Sequence, residues 1–243
     1  MRNLLLTISF DGSNYHGWQV QENAITVQQT LQDAYERICG VRDNITGCSR
    51  TDSGVHANMY CCNIRTEKEI DCGKLTGALN AVLPDDIAVK SCAEVGYDFH
   101  ARYDCKSKEY IYQIWNSENK HPFLYKYSLH HKYPLDEVFL SRCAKEFTGT
   151  HDFSAFCAAG SSVEDKVRTV SYAGLERDGD MVTFRVEADG FLYNMVRIMV
   201  GTLLGISGGK ITESVGDIIQ SRDRERAGIT APPEGLFLNK IVY

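Results

Sequence analysis

The pattern of apolar positions predicts strands and helices from the first residues of the chain. From Leu4 to Phe10 the even-numbered residues are all apolar, and this period of two predicts a strand. Apolar residues then recur at helical spacing from Val27 to Ile38. Thr26 and Gln29, three residues apart, match the capping box that begins many helices. A long loop, Asp11 to Ile25, joins the two elements, and long loops rich in aromatic and polar residues are often functional.

The rest of the first hundred residues completes a regular order of elements. The pattern predicts a strand from Met59 to Arg65, a helix from Leu75 to Leu83 and a strand from Ile87 to Val95. The order β-α-β-β-α-β follows if the short segment before Arg50 is also a strand.

A second run of similar elements follows. Its predicted members are a strand Lys108 to Trp115, a helix Leu135 to Phe147, a hairpin of Val167 to Leu175 and Met181 to Ala188, a helix Phe191 to Leu204 and a strand Gly235 to Tyr243. We therefore expect an α+β chain with antiparallel sheets, divided into two similar halves, residues 1–100 and residues 101–243.

Composition and charge narrow the class of protein. Of the 243 residues, 43% are hydrophobic and 24% are charged, which is ordinary for a globular protein with a sizeable core. The net charge of -6 argues mildly against a partner made of phosphates, although local patches decide such binding. The nine cysteines form no C-x-x-C pair, so we expect free thiols in a reducing cytoplasm rather than disulfides or a zinc site. We also expect no membrane span, because no apolar stretch is long enough.

One carboxylate stands in an informative setting. In the stretch CSRTDSGVHA, Asp52 follows Arg50 by two residues and directly precedes Ser53 and Gly54. Asp followed by Ser-Gly is common turn chemistry, because Asp bonds its own backbone and Gly supplies a positive φ. From the local sequence alone, Asp52 is either a turn residue or a functional carboxylate.

The segment from Phe191 to Gly205 is apolar nearly all round and holds a single charge, Arg197. Such a helix is expected to be buried, and an isolated buried charge is too costly without a partner. Either a carboxylate from elsewhere in the fold meets Arg197, with Asp52 as one candidate, or the side chain reaches solvent at the helix edge. Asp189, followed by Gly190, is better placed to cap the helix.

Other catalytic signatures are missing from the sequence. It has no G-x-S-x-G, H-E-x-x-H, P-loop or G-x-G-x-x-G motif, and its seven histidines have no metal-ligand spacing. A small-molecule hydrolase that uses Asp52 with His56 or His151 has only these residue types in its favour.

Eight segments share a common resemblance and together cover nearly the whole chain. They are FDGSNYHGWQVQ (10–21), SRTDSGVHA (49–57), LNAVLPDDIAV (79–89), FHARYDCKSKEYIYQI (99–114), GTHDFSAF (149–156), VRTV (167–170), NMVRIMVG (194–201) and APPEGLFL (231–238). In these segments, and in their order, the chain resembles the tRNA pseudouridine synthase A family. Each segment alone is modest support, whereas eight in the family's order are specific.

The resemblance implies an isomerase that converts uridine to pseudouridine at positions 38, 39 and 40, on the 3′ side of the tRNA anticodon stem-loop. It implies no metal or organic cofactor, a cytoplasmic enzyme, and a homodimer in which one tRNA reaches across both subunits. The implied fold is two ferredoxin-like halves, similar to RNA-recognition motifs. They form one continuous, mostly antiparallel sheet with helices on one face and a central active-site cleft.

The resemblance also implies roles for single residues. Asp52 matches the family's nucleophile, whose carboxylate assists cleavage of the C1′–N1 bond before the base rejoins through C5. Arg50 matches the arginine that takes the place of the flipped-out nucleotide. Tyr110 matches the tyrosine that stacks on the target base, and Arg197 matches the arginine that pairs with the catalytic aspartate. Attack at C1′, attack at C6 and a glycal route all stay open.

The chain departs from the family pattern at a few positions. Ser49 stands where glycine is usual and Ser53 where alanine is usual, and Ser49 could strain a backbone position that wants glycine. Lys108 and Glu109 replace a more basic pair before Tyr110, so a paralogue with weaker tRNA affinity or shifted site specificity is one alternative. A non-catalytic RNA-binding module of the same fold is another.

Overall fold

The computed structural model describes residues 1–243 and contains ten strands and five α-helices. It divides into two compact units. The first unit comprises Met1–Lys106 together with Phe237–Tyr243, and the second comprises Ser107–Leu236. The fold is therefore mixed α/β, and none of its helices combines the length and the hydrophobicity that a membrane crossing requires.

The first unit contains the predicted order of elements. They are β1 (Arg2–Phe10), α1 (Val27–Cys39), β2 (Ile45–Gly47), β3 (His56–Thr66), α2 (Cys72–Val82) and β4 (Ile87–Val95), with the C-terminal β10 (Leu236–Val242) added to the same sheet. The strand and helix predictions for this part of the chain are confirmed, including the short strand before Arg50.

Strand β1 is the centre of this sheet. It pairs antiparallel with β4 on one edge and with β3 on the other. The opposite edge of β3 is shared by β2, which pairs antiparallel, and by β10, which pairs parallel next to His56. Leu4, Leu6 and Ile8 are fully buried, so the period-two pattern does place one face of β1 in the core.

Helix α1 begins where its sequence predicts. The Thr26 hydroxyl oxygen accepts a hydrogen bond from the Gln29 N–H, and this satisfies one of the helix's unpaired donors. The helix ends at Gly40, whose φ of 70° is left-handed, a conformation that glycine adopts without steric cost.

The second unit is built on a four-stranded antiparallel sheet in the order β5-β9-β8-β7. Its elements are β5 (Ser107–Trp115), β6 (Leu129–His130), α3 (Glu137–Lys145), β7 (Gly149–Asp152), β8 (Val167–Asp178), β9 (Met181–Ala188), α4 (Met195–Ser207) and α5 (Val215–Ser221). The predicted hairpin is confirmed, and β8 and β9 are joined through Gly179 at a φ of 57°.

Helix α4 differs from its prediction at the N-terminus. It begins at Met195 rather than at Phe191, and its first flanking residue is Asn194. The expected capping by Asp189 is wrong, because the Asp189 carboxylate accepts the N–H of Thr169 on β8. The acid is therefore bound by a strand that is distant in sequence, and the apolar run from Phe191 enters the helix through a turn.

Candidate active site

Asp52 lies in the loop between β2 and β3, at the first position of a tight turn. The Val55 N–H donates to the Asp52 carbonyl oxygen at 3.2 Å, and Gly54 has the positive φ, 77°, that the turn needs. The turn interpretation of this motif is thus confirmed. The turn's hydrogen bond uses the main-chain carbonyl of Asp52 and not its carboxylate, so a turn role does not exclude a chemical one.

The long loop after β1 holds this turn by its main chain, and we call residues 11–18 the clamp loop. The Trp18 N–H donates to the Thr51 carbonyl oxygen at 3.3 Å, and the Tyr15 carbonyl oxygen accepts the Gly54 N–H at 3.2 Å. The Ser53 hydroxyl donates to the same Tyr15 carbonyl. The residues before and after Asp52 are therefore both bonded to the clamp loop.

Two glycines allow the clamp loop to come this close. A Cβ atom on Gly17 would lie well inside contact distance of the Thr51 carbonyl oxygen, and one on Gly12 would do the same at the Val55 carbonyl. Gly17 also has a φ of 79°, which residues with a Cβ rarely adopt. Sequence analysis singled out this loop by its length and its aromatic residues, but it did not identify these glycines.

Tyr15 anchors the clamp loop to the start of β4. Its side chain is 5% exposed, and its hydroxyl donates to the Asp86 carboxylate at 2.5 Å. Burial first, and then the neighbouring carboxylate, raise the pKa of the Tyr15 phenol far above its usual range. The Asp11 N–H donates to the Asp86 carbonyl oxygen as well. The LPDDI segment, which lies within one of the segments of the family resemblance, therefore supports the clamp loop through Asp86.

His56 has a structural role beside the clamp loop. It is 1% exposed, its ring stacks on Phe237, and its Nδ1 accepts the Gly12 N–H at 3.0 Å. The same Nδ1 also lies 3.1 Å from an Asp11 carboxylate oxygen, so the ring is held against the start of the clamp loop. An inaccessible ring in this position cannot reach a small substrate as a general base, which removes one form of the hydrolase alternative.

The segment that precedes Asp52 is held by an aromatic pair. The Tyr60 hydroxyl donates to the Ser49 carbonyl oxygen, and the Trp18 ring stacks on the Tyr60 ring at 4.2 Å. The only residues other than glycine with a positive φ are Asn194 and Arg222. The expectation of strain at Ser49 is therefore wrong, because its backbone adopts a conformation that serine tolerates. Arg50, next along, is exposed.

In the second unit, Tyr110 lies on β5 with its ring held by Phe191. The two rings meet edge to face with centroids 5.1 Å apart, and Tyr110 is 6% exposed. Tyr110 faces Val186 of β9 in the sheet register. Phe191, which sequence analysis had treated only as the start of a helix, therefore packs against the candidate residue Tyr110.

Arg197 is partly buried on α4 and has two neutral acceptors that the sequence did not predict. Its Nε donates to the Ala231 carbonyl oxygen, and its Nη1 donates to the Asn194 side-chain oxygen, each at 2.7 Å. These bonds orient the guanidinium within the second unit.

The candidate residues thus fall into two groups. Arg50 and Asp52 share one loop of the first unit, and Tyr110 and Arg197 lie on β5 and α4 of the second. His151 lies on β7, where its Nε2 is within hydrogen-bond distance of the Thr148 carbonyl. No cluster of three or more His, Cys, Asp or Glu side chains could hold a metal ion.

Comparisons with known proteins agree on one family. A family model described as tRNA pseudouridine synthase matches residues 6–104 and 143–243. The chain is 49% identical to the tRNA pseudouridine synthase A of Thermoanaerobacter sp. (strain X514), 48% to that of Acetivibrio thermocellus and 43% to that of Clostridium acetobutylicum. Each of these alignments covers 100% of both chains.

A more distant likeness exists to a solved structure, an archaeal box H/ACA sRNP Nop10-Cbf5 complex. The TM-score is 0.37 at 16% identity, and the match covers 84% of this chain and 43% of that one. This likeness is too remote to compare single residues.

Proposed function

The chain belongs to the tRNA pseudouridine synthase family, and on this basis we propose that it modifies uridines 38, 39 and 40 of the anticodon stem-loop with Asp52 as its nucleophile. The reaction class needs no proposal. Full-length relatives at 41–49% identity carry the same function in their names, and the chain is an isomerase that forms pseudouridine in tRNA.

The observation that carries the role of Asp52 is the clamp. A main-chain turn is bonded on both sides of Asp52 to a second loop, at a distance that only glycines permit at Gly12 and Gly17. A surface turn without a task needs no such support, because turns close on their own hydrogen bond. Fixing the backbone on both sides of one carboxylate is what a nucleophile requires, since small displacements of reacting groups are costly in rate.

The proposed reaction is an isomerisation, so the product has the same composition as the uridine. Asp52 assists cleavage of the C1′–N1 bond, the uracil ring turns, and a C1′–C5 bond forms. The hydrogen on C5 leaves to solvent and N1 gains one. A uridine inside a stem has to be unstacked first, which costs a few kcal/mol.

The other residues have supporting roles in this proposal. Arg50 is exposed and so is free to enter the space of the displaced nucleotide, where a guanidinium can stack on neighbouring bases. Tyr110 stacks on the target base in this proposal, as the family resemblance implies. Arg197 remains the proposed charge partner of Asp52, as the family resemblance implies, and an opposite charge keeps a carboxylate ionised at neutral pH.

The family resemblance extends the proposal to the whole molecule. We propose two ferredoxin-like halves, residues 1–100 with the Asp52 loop and residues 101–243 to complete a central cleft, joined in one continuous sheet. We propose further that the protein acts in the cytoplasm as a homodimer.

One set of incubations, read out by tritium release and by mapping of pseudouridine in the tRNA, tests the nucleophile and the site of modification. Unmodified tRNA carrying tritium at uridine C5 is incubated with wild-type protein, with Asp52→Asn and with Asp85→Asn. Asp85 is an exposed aspartate in the LPDDI segment and is the matched control. We expect tritium release from wild type and Asp85→Asn and none from Asp52→Asn, whose tRNA binding and melting temperature should be unchanged.

The outcomes separate the parts of the proposal. Release by Asp52→Asn in a clean preparation would refute the nucleophile. Pseudouridine mapped outside positions 38 to 40 would refute the site while leaving the nucleophile intact, as a paralogue of shifted specificity predicts. Tight tRNA binding by wild type without any tritium release would favour the non-catalytic RNA-binding module.

A further inference from the structure

Asn194 has an unusual backbone conformation for its position. It precedes the first residue of α4 with φ 59° and ψ 11°, in the left-handed region. Only one other residue besides glycine, Arg222, has a positive φ in this chain. Such a conformation costs free energy in most residues that have a Cβ, and asparagine adopts it more readily than most because its short polar side chain can hydrogen-bond locally.

The side chain of Asn194 does not do what its position predicts. An asparagine that precedes a helix usually accepts a main-chain N–H of the first turn, but Asn194 makes no such cap. Its side-chain oxygen instead accepts the Arg197 Nη1 at 2.7 Å. Because a guanidinium can only donate, this bond also fixes which way the amide of Asn194 points.

A second acceptor holds the same guanidinium from another segment. The Ala231 carbonyl oxygen accepts the Arg197 Nε at 2.7 Å, and the Ala231 N–H donates to the Arg197 carbonyl at 3.1 Å. The segment before Ala231 is itself packed against α4, since a Cβ on Gly201 would collide with the Ile229 carbonyl. The guanidinium is planar, so two acceptors fixed by separate segments determine its plane.

We propose that Asn194 is a positioning residue of the reaction, which sets the orientation of the Arg197 guanidinium and keeps its left-handed backbone for that purpose. The inference rests on the proposed function, in which Arg197 serves the catalytic aspartate. Asn194 need not touch the substrate, and its effect passes entirely through Arg197.

The variant Asn194→Gly separates side chain from backbone. Glycine adopts a φ of 59° without strain, so the start of α4 is kept while the acceptor is lost. If the whole free energy of a hydrogen bond to a charged group is lost in the transition state, the rate falls by about 10-fold or more. We expect kcat for tritium release to fall by about that factor, with KM within about twofold and only a small change in the melting temperature, because relief of the left-handed backbone offsets part of the lost hydrogen bond.

Arg222→Gly is the matched control. Arg222 is the other left-handed residue, at φ 55°, and its side chain is 67% exposed with one ion pair to Asp152. This change removes the same kind of backbone strain at a position without a role in the proposed reaction. We expect the wild-type kcat.

A double-mutant cycle distinguishes positioning from a general structural role. If Asn194 acts only through the guanidinium, Asn194→Gly should cost nothing further in an Arg197→Lys background, because lysine lacks the planar donor pair. An equal fall in both backgrounds, or a wild-type kcat for Asn194→Gly, would overturn the inference while leaving the proposed function in place. A wild-type rate for Arg197→Lys itself would overturn the role of Arg197 and the inference together.

Discussion

Replacing Gly17 by alanine tests whether the clamp loop positions Asp52. The change adds a single methyl group on the side of the clamp loop that faces Thr51. A Cβ on Gly17 would come closer to the Thr51 carbonyl oxygen than the 3.0 Å below which real Cβ atoms essentially never occur. Because Thr51 directly precedes Asp52, a movement of Thr51 that relieves the collision also shifts Asp52, the proposed nucleophile.

Two costs add in this variant. Alanine at a φ of 79° is left-handed, which costs about 1–2 kcal/mol. Relieving the collision moves main-chain atoms by about 1 Å, and forced overpacking of this kind costs about 1–3 kcal/mol. We therefore expect the free energy of unfolding to fall by about 2–5 kcal/mol, and a 1 Å shift of a reacting group to lower activity by about 100-fold.

Gly40→Ala is the matched control for the backbone term. Gly40 has a similar φ of 70°, but a Cβ there would meet nothing within 4 Å. It should therefore lose only the left-handed penalty of about 1–2 kcal/mol and keep full activity. Urea denaturation gives the two free energies, and tritium release from uridine C5 gives the rates. If Gly17→Ala were no less stable than Gly40→Ala and equally active, the clamp would have no positioning role.

Two smaller perturbations follow from the same structure. Tyr15→Phe removes the donor to the Asp86 carboxylate and should lower the free energy of unfolding, measured in urea, by about 1–3 kcal/mol. Activity should change little, because the hydrogen bonds to the turn use the Tyr15 carbonyl. A complete loss of activity would contradict this. Burial, and to a lesser extent His130, lower the pKa of His131 in the folded protein. The unfolded chain therefore binds more protons, and stability should fall as pH drops through about 6.5. His131→Asn should reduce the change in urea midpoint between pH 7 and pH 5.5, and an unchanged pH dependence would refute the assignment to His131.

The elements that the sequence predicted correctly are those decided by local chemistry. Strand β1 follows from its alternation, α1 from its apolar spacing and the Thr26 cap, and the β8–β9 hairpin from its turn residues. Each depends on residues within a few positions of one another. The short strands β6 and β7 and the short helix α5 were missed, since segments of two to seven residues hold too few positions to establish a period.

The site depended on contacts that no local pattern encodes. Sequence could present Asp52 only as a turn residue or a functional one, and both descriptions are compatible with the geometry of the turn. The approach of Gly17 to Thr51 brings together residues 34 positions apart, and neither local sequence predicts this contact. The same holds for Asp189, whose carboxylate accepts the Thr169 N–H on a strand instead of capping the helix.

The departures from the family pattern at Ser49 and Ser53 become intelligible once the clamp is known. At Ser49 the contact that matters is its carbonyl oxygen, which accepts the Tyr60 hydroxyl, and every residue type supplies that atom. Ser53 is exposed, and its hydroxyl adds a hydrogen bond to the Tyr15 carbonyl. Because the clamp loop holds the Asp52 loop through main-chain atoms, side-chain changes in the Asp52 loop are tolerated. A substitution is not tolerated where its Cβ would push the two loops apart. Substitutions around Asp52 should therefore be tolerated least at Gly12 and Gly17, which lie outside the motif that contains Asp52.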